Sequence, residues 1–477
     1  MIIDSLVASP TQITNSDVCI VGGGPAGLTL AMELLSLNIS VVLLESGNDS
    51  YNPRLQELYQ GPLIYKGFDI SLSSSDALKR DRLRMLGGTS NHWGGMCAPL
   101  DTIDFETRDW IPDSGWPFPR SHLAQYYSRA SSYLKIPNFS HFEHRENVVI
   151  KNSILGSEAK LLRDKPFSFS RIGNFGFQHK NVLERANNLR LYLNINALSI
   201  NLDPKDLTKV ASITAARGFR SDEKLLFKSK IYVLAAGAIE NARLLLASNS
   251  ILPAGVGNAN DLVGRYFQGH GYSRRLHTFL MKRDNAALAN YETGGGDQLN
   301  LLAPTGNFQK ENRILNFWIG INAFSDDILW PEAEGVIFAK DVMQRIYNMD
   351  SNKNPDYWFL RSCQIFFEQE PSPLNRVKLI DEKDELGMPK VDVISHISDL
   401  QKETVEHAVN ALGRELAIQS RGRAKLVNSS NLTYNSGVIS LTGADASVFA
   451  VSGMDIVVGA SAITIGRTYN VTANSTP

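Results

Sequence analysis

Three glycines near the start of the chain have the spacing of a phosphate-binding turn. Gly22, Gly24 and Gly27 follow the apolar run Asp17-Val-Cys-Ile-Val-Gly22 and precede LTLAMELLSL, whose apolar residues have helical spacing. Glycine permits a tight turn at the first position, close approach of a diphosphate at the second and close helix–sheet packing at the third. The pattern therefore predicts that a strand, a turn and a helix hold a diphosphate.

An acid in the next apolar run supports the same chemistry. Glu45 ends Ser40-Val-Val-Leu-Leu-Glu45 and follows Gly22 by 23 residues, an offset at which a carboxylate accepts hydrogen bonds from a ribose diol. Pro25 and Ala26 open the helix, where the missing N–H of proline costs nothing and the helix N-terminus attracts negative charge. Together these residues form a βαβ unit and predict dinucleotide binding.

Further motifs are spread along the chain. They are Arg84-Met-Leu-Gly-Gly-Thr-Ser-Asn-His-Trp-Gly-Gly95, Asp104-Phe-Glu-Thr-Arg-Asp-Trp110, Ser114-Gly-Trp-Pro-Phe118, Ala235-Ala-Gly-Ala-Ile-Glu-Asn-Ala-Arg-Leu244, Leu262-Val-Gly-Arg-Tyr-Phe-Gln-Gly-His270, Arg376-Val-Lys-Leu, Leu386-Gly-Met-Pro and Ser398-Asp-Leu. Together they resemble the glucose-methanol-choline (GMC) oxidoreductase family of FAD enzymes, most closely its sugar and polyol dehydrogenases. The resemblance extends from about residue 15 to about residue 472.

The resemblance implies that FAD is the cofactor and which further residues contact it. His92 matches a family position at which histidine is bonded to the flavin C8 methyl, so a covalent histidyl link is one hypothesis. A neutral histidine that packs beside the flavin is the other. The implied contacts beyond the glycine turn are Arg84, Gly88, Thr89, Asn91, His92, Leu198, Ala236, Gly459 and Ala460.

The catalytic base of the family is missing from its usual place. Relatives carry a His-His-Met-Gly-like segment, where this chain reads Tyr434-Asn-Ser-Gly-Val-Ile-Ser-Leu441. Relatives also carry a second active-site residue, a His or Asn, later in the chain. This position is better matched, because Tyr469-Asn470-Val-Thr472 resembles the family's Asn-Pro-Thr turn. An amide, however, cannot take up a proton. The resemblance also implies a helix after that turn, and the few residues that follow Thr472 are too short for one.

We therefore interpret Asn470 as a catalytic residue that hydrogen-bonds the substrate oxygen, and we consider several replacements for the base. Tyr469 and His270 are the other catalytic candidates, the latter from its match to a family histidine near the domain junction. A packing phenol is the alternative for Tyr469, a surface or packing position is favoured for His407 and a structural position is favoured for His396. A desolvated Glu368 or Glu370 would serve as a base, but a solvated loop pair is favoured for these two residues.

The distribution of motifs predicts the fold class. We expect an α/β protein with a Rossmann-like FAD-binding domain built from discontinuous segments and an inserted α+β substrate domain. The FAD-binding domain would comprise residues 1–110, 186–275 and 431–477. The substrate domain would comprise residues 111–185 and 276–430.

The amino-acid composition limits the classes of binding partner that we expect. Lys and Arg total 48 against 49 Asp and Glu, so the net charge of −1 gives no general affinity for nucleic acid. Cys19, Cys97 and Cys363 match neither a disulfide framework nor a zinc site, which predicts buried reduced thiols. The chain has no secretory signal pattern and no run of about 18 apolar residues, so we expect a cytoplasmic protein without a membrane span.

Three functions are compatible with these observations. The leading prediction is oxidation of a hydroxyl on a small polar substrate, sugar-like or a secondary metabolite, by hydride transfer to flavin N5. Oxygen or a separate redox partner would accept the electrons, and homo-oligomerisation is left open. The alternatives are a flavoprotein that catalyses a non-oxidative biosynthetic step, such as cyclisation or isomerisation, and a subunit completed by a partner chain.

Overall fold

The computed structural model describes residues 1–8, 10–66, 72–137, 153–170, 172–269, 271–282, 291, 298–323, 358–419 and 421–425. The strands in this part of the chain are β1 (Ile2–Asp4), β2 (Ile13–Val21), β3 (Val41–Leu44), β4 (Leu63–Lys66), β5 (Leu72–Ser74), β6 (Met96–Cys97), β7 (Leu162–Phe169), β8 (Leu189–Leu193), β9 (Ile195–Asp203), β10 (Asp206–Arg217), β11 (Arg220–Leu234), β12 (Gly271–Lys282), β13 (Gln298–Pro304), β14 (Phe317–Ala323), β15 (Trp358–Phe367), β16 (Arg376–Lys383), β17 (Pro389–His396) and β18 (Gly422–Lys425).

The helices over the same residues are mostly short. They are α1 (Pro25–Leu35), α2 (Pro53–Glu57), α3 (Ala77–Arg80), α4 (Ala124–Leu134), α5 (Phe175–Arg185), α6 (Ala238–Ala247), α7 (Gly306–Asn312) and α8 (Asp399–Ile418), with 3-10 helices at Gly88–Asn91, Thr102–Phe105 and Arg120–Leu123. None of these helices is both long enough and apolar enough to cross a bilayer.

The described strands form three sheets. The first has the order β1-β8-β3-β2-β11-β10-β9, with parallel pairing from β1 to β11 and antiparallel pairing beyond it. The second has the order β18-β12-β15-β14-β13-β7-β6 and is antiparallel throughout. The third, β16-β17-β4-β5, is mixed. The expected α/β fold class is confirmed.

The parallel part of the first sheet is buried on both faces. Alternate residues of β2 and β3 point to opposite sides: Ile20 and Leu43 pack with α1, while Val21 and Leu44 pack with β9, β10 and α6. Two-sided burial explains why these strands read as continuous apolar runs. The carboxyl ends of β2, β3 and β11 meet at one edge, where α/β sheets bind ligands.

The helix α8 covers one face of the second sheet. Ser398 and Gln401 form a capping box, with each side chain bonded to the backbone N–H of the other residue. Val405, Leu412 and Leu416 on its inner face are buried against the sheet. Each such side chain contributes about 1.5–3 kcal/mol by leaving water.

The three cysteines are free and buried, as the sequence predicts. Burial raises the pKa of the Cys97 thiol to about 11 and those of Cys19 and Cys363 to about 12.

Candidate FAD site

The glycine turn at the end of β2 is so tight that two of its positions have no room for a side chain. Gly22 has a φ of +111°, and a Cβ there would lie 2.5 Å from the Ala235 carbonyl oxygen. A Cβ on Gly27 would overlap the Gly22 carbonyl oxygen, so glycine lets α1 press onto the turn. Gly24 is different, because a Cβ on it would meet nothing within 4 Å. Gly24 is also the N-cap of α1, so this open space lies where a helix favours an anion.

Glu45 follows β3 directly and is oriented by its neighbours. The Gly23 N–H donates to Oε2 (2.8 Å), and the Gly47 N–H and Ser46 hydroxyl donate to Oε1 (2.7 and 3.3 Å). An ionised carboxylate has about four acceptor positions. These contacts fix the carboxylate of Glu45 and leave capacity for one further donor, such as a ribose hydroxyl.

The loop from Arg84 to Gly95, called here the flavin loop, packs against the glycine turn. The Gly87 N–H donates to the Gly23 carbonyl oxygen (2.8 Å), and a Cβ on Gly88 would lie 3.1 Å from the Gly24 Cα. Gly87 and Gly88 have φ of +93° and +56°, a region that favours glycine. The two motifs therefore form one continuous backbone surface, although they are far apart in sequence.

Side chains later in the flavin loop brace it or face outward. The Thr89 hydroxyl accepts the Leu83 N–H (3.3 Å), and Asn91 Nδ2 donates to the Leu86 carbonyl oxygen (3.1 Å). His92 is exposed. The loop is thus held by Thr89 and Asn91, and the imidazole of His92 is accessible.

A cavity lies at the carboxyl ends of β2, β3 and β11. The predicted residues Leu198 and Ala236 both line it, together with Gly22 and Ser46. This is the edge at which the nucleoside half of a dinucleotide is expected.

A buried group of charges borders the cavity, and we call it the first-sheet cluster. It consists of Tyr59, Arg82, Arg84, Glu240, Arg243 and Asp384. Burial opposes ionisation of Glu240, but Arg243, Arg82 and Arg84 outweigh it and lower the pKa of the carboxyl to about 2. Glu240 is therefore ionised at neutral pH.

A second buried group of charges, the second-sheet cluster, lies at the end of the second sheet near Thr102–Phe105. It consists of Asp101, Asp104, Arg108, Arg163, Lys165 and Glu368. Both carboxylate oxygens of Glu368 bind the Arg108 guanidinium (2.8 and 2.6 Å). The interpretation of Glu368 as half of a solvated loop pair is therefore wrong, because a buried arginine holds it.

Two histidines considered as alternatives lie in packing positions. His396 ends β17, and burial lowers the pKa of its imidazole. His407 lies on α8, 6.2 Å from the Phe308 ring, and burial lowers its pKa as well. Both are half-buried.

The candidates assigned to catalysis lie outside the described residues. These are His270, Tyr469 and Asn470, and the predicted cofactor contacts Gly459 and Ala460 lie outside as well. Their roles stay predictions.

Sequence reasoning missed most of the first-sheet cluster. Tyr59, Asn196, Glu240, Arg243 and Asp384 all line the cavity, but none was assigned to the cofactor. Glu240 and Arg243 belong to Ala235-Ala-Gly-Ala-Ile-Glu-Asn-Ala-Arg-Leu244, so two charges inside a mostly apolar helix were the available signal.

The residues present fit FAD in two ways. The open position at Gly24 admits a diphosphate, and the buried Nε–H of Arg84, which has no partner among the described residues, offers a donor at the cavity. Gly22 to Gly27 and Glu45 would hold the diphosphate and ribose, and the flavin loop would contact the ring system. The α/β fold and this site define the class: an FAD-binding protein.

Comparison with known proteins agrees with this class. A sequence family described as "FAD binding domain" matches residues 15–58. A 6-methylpretetramide 4-monooxygenase of Streptomyces rimosus is 36% identical over 75 residues, which are 16% of this chain and 17% of that protein. The chain thus matches about one sixth of the length of this relative.

Solved structures are similar to a larger part of the chain at low identity. A formate oxidase shares 14% identity, with 87% of this chain and 83% of that chain covered and a TM-score of 0.42. A pyridoxine 4-oxidase from Mesorbium loti shares 15% identity, with 84% and 82% covered and a TM-score of 0.47. The match to the FAD-binding family supports FAD as the cofactor, as the sequence predicts.

Proposed function

We propose that the chain is an FAD-dependent oxidoreductase that oxidises a hydroxyl group of a small polar molecule, either sugar-like or a secondary metabolite. When bound, FAD supplies the hydride acceptor. The single observation that carries the proposal is the contact between the glycine turn and the flavin loop, Gly87 N–H to Gly23 carbonyl oxygen at 2.8 Å, with open space at Gly24.

Within this proposal the described residues bind and orient the cofactor. The turn donates backbone N–H groups toward a diphosphate, and Glu45, fixed by Gly23 and Gly47, accepts a ribose hydroxyl. Asn470 is proposed to hold the substrate oxygen, with Tyr469 or His270 handling its proton.

Gly24 provides the sharpest test of cofactor binding. Gly24→Ala adds a Cβ where the protein has open space and a φ of −79°, so the fold should be unchanged. The same Cβ would keep the diphosphate from the turn. Loss of charge-assisted hydrogen bonds worth about 1.5–3 kcal/mol predicts that the FAD dissociation constant rises about 10–150-fold.

The matched control is Gly306→Ala, at the start of α7, where a Cβ also meets nothing within 4 Å. Both variants should melt like the wild type, and only Gly24→Ala should lose FAD in a fluorescence titration. Unchanged FAD affinity in Gly24→Ala would show that the diphosphate is not held at this turn.

The reaction itself is tested by anaerobic bleaching of the bound flavin. We expect an alcohol from a panel of polyols, pyranoses and hydroxylated metabolites to reduce it. A flavin that stays oxidised with every alcohol, combined with conversion of a substrate that consumes no oxidant, would instead identify a non-oxidative enzyme.

The role of His92 determines whether the flavin is bound covalently. A covalent histidyl link predicts that the yellow colour stays with protein precipitated in acid and is released in His92→Ala, whereas a packing histidine predicts release from both. The exposure of His92 on the flavin loop leaves its imidazole accessible for such a bond. The electron acceptor, the oligomeric state and the cytoplasmic location stay predictions.

A further inference from the structure

The two faces of the second sheet carry different side chains. Phe317 and Ile319 of β14 are buried together with α8, whereas Trp318 and Gly320 alternate with them and point to the opposite face. Neighbouring strands extend that face in register. We call it the ring face and define it by Phe167, Leu299, Leu301, Trp318, Gly320, Gln364 and Phe366.

Aromatic rings make the ring face flat and apolar around Trp318. The rings of Trp318 and Phe366 are stacked, with centroids 5.4 Å apart and an angle of 27° between their planes. The Phe167 ring lies toward β7, with its centroid 5.0 Å from that of Trp318. Trp318 is only partly buried, and offset stacking on its indole is a favourable arrangement for a further planar ring.

The fold does not require glycine at position 320. Gly320 is an interior residue of β14, pairs in register with Gln364 and does not have a positive φ. A Cβ on it would meet nothing closer than 3.7 Å, the distance to Leu301 Cδ2, so alanine would fit. Glycine weakens a strand interior and often marks a place where a ligand comes close to the backbone. The open position beside Trp318 therefore indicates a bound molecule.

The flavin loop leads directly onto the ring face. The carbonyl oxygen of its last residue, Gly95, accepts the Ser170 N–H (2.7 Å), and the next two residues form β6, which pairs with β7. Met96 packs in the apolar cluster that contains Phe167 and Trp318. A molecule on the ring face is therefore placed on the same side of the sheet as the loop assigned to the flavin.

Polar groups are scarce on the ring face. Of its seven residues, only Trp318 and Gln364 have side chains that form hydrogen bonds, through an indole N–H and an amide. The polar residues that border it, Asn316, Lys165 and Glu368, are already bonded within the second-sheet cluster. A pyranose or a polyol would bring several hydroxyl groups here, and each one buried without a partner costs about 1–3 kcal/mol. The surface therefore favours a planar ring with few polar substituents.

We infer that the ring face binds the substrate, that this substrate is an alcohol on a planar unsaturated ring, and that Trp318 is the specificity-determining residue. The ring stacks on Trp318 with its edge at Gly320, and the Gln364 amide bonds a polar substituent. The inference rests on the proposed oxidation of a hydroxyl group. It adds the class of alcohol and selects a ring-bearing metabolite over a sugar-like molecule.

The experiment compares alcohols of matched size on the FAD-loaded full chain. Benzyl alcohol and 2-naphthalenemethanol are the planar probes, cyclohexylmethanol is the saturated counterpart of benzyl alcohol, and glucose and sorbitol represent sugars and polyols. The concentration dependence of anaerobic flavin reduction gives the dissociation constant and the limiting rate. For an alcohol that does not reduce the flavin, the change in flavin absorbance gives the dissociation constant. We expect benzyl alcohol to bind about 2–12-fold more tightly than cyclohexylmethanol, the range for one aromatic stack.

Two variants test the surface itself. Trp318→Leu should raise the dissociation constants of the planar alcohols about 2–12-fold and leave that of cyclohexylmethanol nearly unchanged, whereas Trp318→Phe keeps a ring and most of the preference. Gly320→Ala should melt like the wild type, because its Cβ has room. The same Cβ would crowd a bound ring, which predicts a 2-naphthalenemethanol dissociation constant about 5–150-fold higher.

The matched controls change the same residue types elsewhere. Trp116→Leu removes an exposed tryptophan that contacts Phe105 and Phe118, and Gly306→Ala adds a Cβ in open space at α7. Neither should alter the ratio of the dissociation constants for benzyl alcohol and cyclohexylmethanol.

The outcomes separate this inference from the proposed function. A wild type that binds and oxidises glucose or sorbitol as well as the planar alcohols, or that does not distinguish benzyl alcohol from cyclohexylmethanol, overturns the inference and leaves the proposed function standing. An unchanged ratio in Trp318→Leu overturns the role of Trp318. A flavin that no alcohol reduces overturns the proposed function, and the dissociation constants then still test the ring face. If Trp318→Leu does not fold, as shown by its melting curve, Gly320→Ala decides.

Discussion

The two buried ionic clusters are built from the same kinds of side chain and differ in how their carboxylates are held. In the first-sheet cluster, Arg82, Arg84 and Arg243 all form ion pairs with Glu240, and Arg243 also pairs with Asp384. In the second-sheet cluster, three cations form ion pairs with Asp101 and Glu368, whereas Asp104 accepts a hydrogen bond from Asn316. These cations are Arg108, Arg163 and Lys165.

The difference teaches which cluster is complete without a ligand. An unpaired donor does not separate them, since the Nε atoms of Arg84 and Arg108 both lack an acceptor among the described residues. The cavity does, because Arg84 lines it and Arg108 does not. The first-sheet cluster therefore borders space for a ligand, whereas the second joins β7 to the segment that begins at Asp101.

Removing the charge of Glu240, which three arginines share, should have the largest effect. Glu240→Gln leaves three guanidiniums with Asp384 alone, so we expect the free energy of unfolding to fall by about 3–5 kcal/mol. Glu368→Gln should cost about 1–3 kcal/mol, because the side chain of Glu368 is 27% exposed and water can reach Arg108 after the change.

Urea unfolding of both variants at pH 7.5 checks this order. Glu385→Gln is the control, since its pair with Arg54 is exposed and worth at most about 1 kcal/mol. A greater loss for Glu368→Gln than for Glu240→Gln would mean that sharing by three arginines does not make Glu240 the more important carboxylate.

The second-sheet cluster should instead affect the pH dependence of the free energy of unfolding. Burial, then the charges of Asp101 and Glu368, raise the pKa of Asp104 from 3.8 to about 6. The folded state thus favours the protonated carboxyl, and the stability this contributes is complete below about pH 4 and is lost as pH rises through about 6. Such a shift corresponds to about 2–3 kcal/mol.

Asp104→Asn should remove this part of the pH dependence. The comparison is made by urea unfolding from pH 4.5 to 7.5, where subtracting the variant from the wild type cancels the contributions of the histidines. Asp101 does not interfere: burial opposes its ionisation, but Lys165 and Arg163 outweigh burial and lower its pKa to about 2, so its contribution is lost only below this window. Exposed Asp109→Asn is the control, and an identical slope in Asp104→Asn and the wild type would refute the assignment.

The turn could be predicted from the sequence, and the clusters could not. Gly22, Gly27 and Glu45 lie within one βαβ unit, so their spacing in the sequence is enough to predict how they are arranged in space. Arg84 and Glu240 are 156 residues apart, and Arg108 and Glu368 are 260 apart. Only the sheet order brings such pairs together, and this is why Glu368 was read as a loop residue.

The smallest expected effect concerns the Tyr59 ring, which contacts two guanidiniums of the first-sheet cluster. The guanidinium carbons of Arg82 and Arg84 lie 4.0 and 4.3 Å from the Tyr59 ring centroid, close enough for two cation–π contacts. The corresponding contact in the second cluster, Lys165 Nζ to the Phe167 centroid, spans 5.9 Å, near the limit of the interaction. Tyr59 should therefore matter electrostatically, and Phe167 chiefly by packing.

Tyr59→Leu should lower the free energy of unfolding by about 1–3 kcal/mol, whereas Tyr59→Phe keeps the ring and should leave it nearly unchanged. Phe167→Leu removes a similar volume of side chain to Tyr59→Leu, and it should lower the free energy of unfolding by less than about 1.5 kcal/mol. Urea unfolding of the three variants, repeated in 1 M salt, measures the difference. If Tyr59→Leu costs no more than Phe167→Leu, the aromatic face does not stabilise the guanidiniums, and the carboxylates must hold the three arginines without it.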